Sequence, residues 1–125
     1  MKKTTALTSA LIAAIIIFNA CSKGGTTTGG GGTGGGKTFS CAGITPKFAA
    51  DVQPILTTLC ATNSNCHAVG SANSAGPLTT YNEVNAKKSN IRSQILSGAM
   101  PQSGTISQAQ INAFICWIDS GAPNN

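Results

Sequence analysis

The chain has 125 residues, with eight Lys or Arg, three Asp or Glu and one His, which gives a formal net charge of +5. A single histidine and three widely spaced carboxylates exclude a hydrolytic triad or a pair of catalytic carboxylates. The glycine-rich tract ends in Lys37-Thr38, but no helix pattern follows these residues, so the tract lacks the context of a phosphate-binding loop.

Residues 1–20 have the features of an export signal. Lys2 and Lys3 precede the apolar run ALTSALIAAIIIF, and small or polar residues follow. This run is shorter than the ~20 residues that a membrane-spanning helix needs, so we predict that the segment is cleaved. The sequence FNAC at its end resembles a bacterial lipobox, which predicts that Cys21 is lipidated and becomes the mature N-terminus. An ordinary secretory signal with an incidental Cys21 is the alternative.

Residues 21–38 follow as a predicted tether. The sequence KGGTTTGGGGTGGGK contains nothing apolar to bury, and a glycine-rich coil over residues 24–36 has an r.m.s. span of about 20 Å. We therefore expect a small domain over residues 39–125 that is held close to a membrane surface. A disordered tail without a lipid anchor is the alternative.

The first helix of that domain is predicted over residues 46–60. Thr45 is a suitable N-cap for it, and Pro54 predicts a kink or a restart inside it. An apolar stripe at helical spacing indicates the buried face. It comprises Phe48, Val52, Ile55, Leu56 and Leu59.

Two capping boxes predict the later helices. Thr80 and Glu83 open a helix that runs to about Ser97, and Ser107 and Gln110 open a helix that closes at Gly121. Residues 61–79 and 98–105 are predicted loops because they are rich in small and polar residues and contain proline. No segment has a strand pattern. The domain is therefore predicted to be all-α, with three to four helices.

The segment CATNSNCH, residues 60–67, carries the strongest chemical signal. A c-type haem attachment motif reads C-x-x-C-H, and here five residues lie between the two cysteines instead of two. In this interpretation Cys60 and Cys66 form the thioether bonds to haem, and His67 is the proximal iron ligand. Met100, the only methionine of the mature chain, lies beside Pro101 in a loop and is the candidate distal ligand.

The cysteine count is consistent with this interpretation. If Cys21 is lipidated and Cys60 and Cys66 hold haem, then Cys41 and Cys116 remain for one disulfide in an oxidising compartment. Each residue also has an ordinary alternative. Cys60 and Cys66 could pair with each other, or they could bind zinc together with His67 and another cysteine. The histidine could be a surface residue, and Met100 could be a packing residue.

The order of these features resembles that of class I c-type cytochromes. It is more similar to the cytochrome c-like domains of exported Bacteroidetes-type lipoproteins, in the segments FAADVQPILTTLC, CATNSNCH, IRSQILSGAMP and ISQAQINAFICWIDSGAPNN. The resemblance implies an all-α domain around one covalent haem c, with Cys60 and Cys66 as thioether sites and His67 and Met100 as axial ligands. It also implies that Phe48 and Trp117 pack where the first and last helices cross, near the haem edge.

We accordingly expect an electron carrier, not an enzyme, that exchanges electrons with an unidentified redox partner protein. A haem peroxidase would need an open sixth position, which Met100 would occupy. The expected location is the inner or outer membrane facing the periplasm, or the cell surface, through the lipid on Cys21. The haem propionates would bring a mature charge of about +3 towards neutrality, so nucleic acid is not an expected partner. The alternative function is a haem-free, two-disulfide extracytoplasmic binding module.

Overall fold

The computed structural model describes residues 32–34 and 36–125. The predicted signal peptide, Cys21 and most of the predicted tether lie outside these residues. The described part contains three helices and one pair of short strands. We label the strands β1 (Gly32–Gly34) and β2 (Lys37–Phe39), and the helices α1 (residues 48–60), α2 (Tyr81–Ser97) and α3 (Gln108–Asp119). None of these helices is long and apolar enough to cross a membrane.

The strand pair departs from the predicted tether. β1 and β2 are antiparallel, with Gly32 opposite Phe39 and Gly34 opposite Lys37. Gly36, in the link between them, has a φ of +138°, which suits glycine. Residues 32–34 of the glycine-rich tract thus pair with β2 through backbone groups, although their glycines have no side chains to bury.

Helix α1 differs from the prediction at its start and in its hydrogen bonding. Lys47 has extended backbone angles, so the helix begins at Phe48 and Thr45 is not its cap. Asn125 supplies the caps instead: its Oδ1 accepts from the Phe48 N–H at 2.9 Å and its carbonyl oxygen accepts from the Ala49 N–H at 3.0 Å. Pro54 was expected to cause a kink or a restart of the helix, and at this position the helix changes its hydrogen-bonding pattern. π-Helical turns at Phe48–Val52 and Leu56–Cys60 flank an α-helical turn at Gln53–Ile55.

Both capping boxes are confirmed. Thr80 accepts from the Glu83 N–H while the Glu83 carboxylate accepts from the Thr80 N–H, and Ser107 and Gln110 do the same at the start of α3. Gly98 ends α2 with a φ of +78°, a left-handed cap that glycine adopts without steric cost. The mostly helical fold is thus as predicted. The starts of α2 and α3 could be predicted because the capping residues are close together in the sequence.

The core lies where α3 packs against α1, α2 and the strand pair. The Phe48 and Trp117 rings are 5.4 Å apart between their centroids, and Phe114 and Tyr81 pack edge-on against Trp117. The Trp117 indole N–H donates to the Pro123 carbonyl at 2.8 Å, which satisfies its one polar atom inside the core. The predicted contact between the first and last helices is therefore present.

A disulfide joins Cys41 to Cys116, with the two Cα atoms 5.5 Å apart. It ties the segment that follows β2 to the C-terminal half of α3. Across the same region the Arg92 guanidinium on α2 binds both carboxylate oxygens of Asp119 on α3, at 2.8 and 3.0 Å, and lies over the Phe39 ring. These links hold β2, α2 and α3 together.

Candidate cofactor site

A cavity of about 420 Å³ lies between the C-terminal half of α1, the face of α2 that carries Asn90, Ile91, Gln94 and Ile95, and the two long loops. Helix α3 does not line it. Leu56 and Leu59 of α1 and Ile91 and Ile95 of α2 form its apolar walls. Cys60 at the end of α1 and the loop residues Cys66, His67 and Met100 all line the same cavity. The structure thus brings together the four residues that the sequence singled out, from positions 40 residues apart in the chain.

The two cysteines of the motif are free thiols. Each is partly buried, and they lie close enough for the Cys66 sulfur to affect the pKa of Cys60. Burial is the larger cause and the neighbouring Cys66 the smaller, and together they raise the pKa of the Cys60 thiol to about 11. Cys60 is therefore protonated at neutral pH, so it is a poor nucleophile towards external reagents.

His67 is held at three of its atoms. Its backbone N–H donates to the Cys60 carbonyl at 3.0 Å, and its carbonyl oxygen accepts from the Leu78 N–H at 2.8 Å. The ring Nδ1 lies 3.0 Å from the Gly76 carbonyl oxygen. Because a carbonyl can only accept, Nδ1 must carry a proton in this contact, and in a neutral ring the lone pair is then on Nε2. This is the tautomer in which an imidazole binds a metal through Nε2.

Met100 reaches the cavity from the loop between α2 and α3. Its backbone N–H donates to the Gln94 carbonyl at 3.1 Å, and the bond to Pro101 is a cis peptide. Met100 is partly buried and lines the cavity with Pro101. Since the loop is fastened to α2 beside this residue, Met100 has a defined position in the cavity wall.

The cavity carries almost no formal charge. Apart from His67, its polar lining consists of amides and hydroxyls: Asn65, Asn73, Ser74, Asn90, Gln94, Gln102 and Ser103. Two cations of α2 have polar partners on the protein. Lys88 donates to Asn85 at 2.8 Å, and the hydrogen bond to Asp119 raises the pKa of the Arg92 guanidinium. The site therefore suits a largely apolar ligand with polar groups at its edge.

A zinc site is not formed by these residues. The described part of the chain contains no group of three or more His, Cys, Asp or Glu side chains placed to hold a metal ion. Cys60, Cys66 and His67 share one cavity without converging on one point.

Some parts of the site could not be identified in advance. Phe48 and Trp117 pack as expected, but neither lines the cavity. The polar loop residues Asn63, Ser71 and Asn73 form a hydrogen-bonded network behind Cys66, where the sequence indicated only a surface loop. Their abundance in the loop was the available signal, because Asn and Ser readily bond nearby backbone groups.

No protein-family model, curated protein or solved structure matches the chain.

Proposed function

We propose that this protein is an electron carrier that holds one haem c in the cavity between α1 and α2. The observation that carries the proposal is the convergence of two free thiols, one imidazole and one thioether on a single cavity. When bound, the haem iron supplies one-electron chemistry by alternating between its ferric and ferrous states.

The residues present fit this group. Cys60 and Cys66 would hold it by adding their thiols across its two vinyl groups. Each addition forms an S–C bond and passes the thiol proton to the other vinyl carbon, with no net oxidation. The volume of about 420 Å³ lies within the roughly 300–1,000 Å³ of typical cofactor pockets. The apolar side chains of Leu56, Ile91 and Ile95 would exclude water from its faces.

His67 and Met100 would be the axial ligands. The Gly76 carbonyl fixes the His67 tautomer and orients the ring, which is the usual role of a hydrogen-bonding partner behind a metal-bound histidine. A thioether ligand favours the ferrous state and raises the reduction potential. Two protein ligands leave no open position for a substrate, which favours electron transfer over peroxidase chemistry.

The proposal includes export and a lipid anchor on Cys21, with a redox protein as partner. The Cys41–Cys116 disulfide is consistent with an oxidising compartment, where such bonds persist. The haem-free binding module is the competing function. It would use the same cavity for another apolar ligand, with Cys60 and Cys66 paired in a second disulfide.

An absorption spectrum after denaturation separates the two. The protein is expressed with a periplasmic haem-maturation system, purified, and unfolded in guanidinium chloride. We expect a red protein that keeps its colour when unfolded and titrates as a one-electron couple, and a colourless Cys60→Ala/Cys66→Ala double variant. A colourless wild-type protein would contradict the proposal and favour the binding module.

A further inference from the structure

The five residues between the cysteines are folded around Asn63. Its side-chain Oδ1 accepts from the Asn65 N–H at 2.9 Å and the Cys66 N–H at 3.1 Å. Its carbonyl oxygen accepts from the Cys66 N–H at 3.0 Å and the Ala68 N–H at 3.1 Å. The backbone N–H of Cys66 is therefore shared between both oxygens of one residue.

The carbonyl of Cys66 is held from the other side. The Ser71 hydroxyl donates to it at 2.5 Å, and the Asn73 side-chain amide donates to it as well. Asn73 Nδ2 also donates to the Asn65 carbonyl at 3.1 Å. Ser71 and Asn73 follow His67 in the chain, so these bonds fold the later part of the loop back onto the motif.

Together the bonds fix the register of the widened motif. Cys66 is held at both its backbone N–H and its carbonyl, and the His67 N–H closes the loop onto the Cys60 carbonyl. A loop with five residues between two attachment points has more conformations to lose than one with two. The hydrogen bonds remove that freedom before any ligand is bound.

We propose that Asn63 and Asn73 are positioning residues that preorganise Cys66 and His67 for attachment to haem. This inference rests on the proposed function. The two residues act through opposite chemistry. Asn63 faces two N–H groups and acts through its oxygen, whereas Asn73 faces two carbonyls and acts through its nitrogen.

The same substitution therefore separates them. Asn63→Asp keeps the accepting oxygen and retains the turn. Asn73→Asp replaces the donor by a carboxylate oxygen that faces two carbonyls and so breaks the fold-back. Asn63→Ala removes the side-chain oxygen that accepts the two N–H groups, and Asn73→Ala removes the side-chain amide that donates to the two carbonyls. Thr62→Ala and Ser64→Ala are matched controls in the same insert, since both side chains are exposed and form no hydrogen bond within the described part of the chain.

The experiment measures haem attachment by intact mass after expression of each full chain with the maturation system. Peptide mapping then identifies which cysteine is bonded, and far-ultraviolet circular dichroism checks that the helices remain. We expect Asn63→Ala, Asn73→Ala and Asn73→Asp to lower the doubly attached fraction roughly tenfold, with a species bonded through Cys60 alone in its place. Asn63→Asp and the two controls should stay within about twofold of the wild type.

Equal attachment in all four asparagine variants, or the same response of Asn63→Asp and Asn73→Asp, would overturn the inference and leave the proposed function standing. A wild-type protein that carries no haem would overturn the proposed function, and the inference with it. The wild type alone decides the second case, so the two failures are distinguishable.

Discussion

The buried thiol of Cys60 gives a prediction for the haem-free protein that can be worked out from the structure. Its pKa is raised from 9.0 to about 11, first by burial and then by Cys66. Only the thiolate reacts with alkylating reagents. At pH 9 the thiolate fraction is therefore about 1% in the folded chain and about one half in the unfolded chain, and folding should slow alkylation roughly fiftyfold.

The assay is a pulse of iodoacetamide at pH 9 on protein made without maturation factors, followed by digestion and mass spectrometry of the Cys60 peptide. The same protein in denaturant is the reference. Because the folded state favours the protonated thiol, its contribution to stability is complete below pH 9 and is lost as the pH rises towards 11, on the order of 2 kcal/mol in all. Cys60→Ala should remove this alkaline loss. Alkylation rates that agree within about threefold between folded and unfolded protein would refute the burial of this thiol.

Three further predictions concern the fold and the site. Cys41→Ala/Cys116→Ala should lower the free energy of unfolding by about 4 kcal/mol in urea titrations, because the disulfide closes a 75-residue separation; a loss below about 1 kcal/mol would contradict this. The pKa of Glu83 is lowered first by a hydrogen bond from the backbone N–H of Thr79, so the stability that the Glu83 carboxylate contributes should be lost as the pH falls below the ordinary glutamate range. In a plot of the urea unfolding midpoint against pH, Glu83→Gln should remove the decrease over that acidic range. In the haem protein, Met100→Ala should lower the reduction potential by roughly 0.1–0.2 V within the ~0.8 V range set by axial ligands, and an unchanged potential would exclude Met100 as a ligand.

The helices show how much local chemistry can predict. Thr80 with Glu83 and Ser107 with Gln110 satisfy helix N–H groups three residues away, so their sequence alone identifies the starts of α2 and α3. The start of α1 could not be found this way. Its cap is Asn125, which meets Phe48 only after the chain has folded.

The strand pair and the cavity could not be predicted from local sequence patterns either, because both depend on contacts that form only in the folded chain. Glycines 32 and 34 have no side chain to give an alternating pattern, so pairing with β2 leaves no trace in the sequence. Ile91 and Ile95 have the spacing of core residues, and nothing in that spacing indicates that they line a cavity. The cysteine-histidine motif and Met100 were identifiable because those residue types are scarce in this chain and have few chemical uses.

Covalent attachment of haem is tested most directly by peptide mapping of the mature protein from cells that contain a haem-maturation system. We predict that the peptide containing Cys60, Cys66 and His67 carries the mass of one haem on two thioether bonds. A peptide with both cysteines unmodified, or joined to each other in a disulfide, would contradict the proposed function.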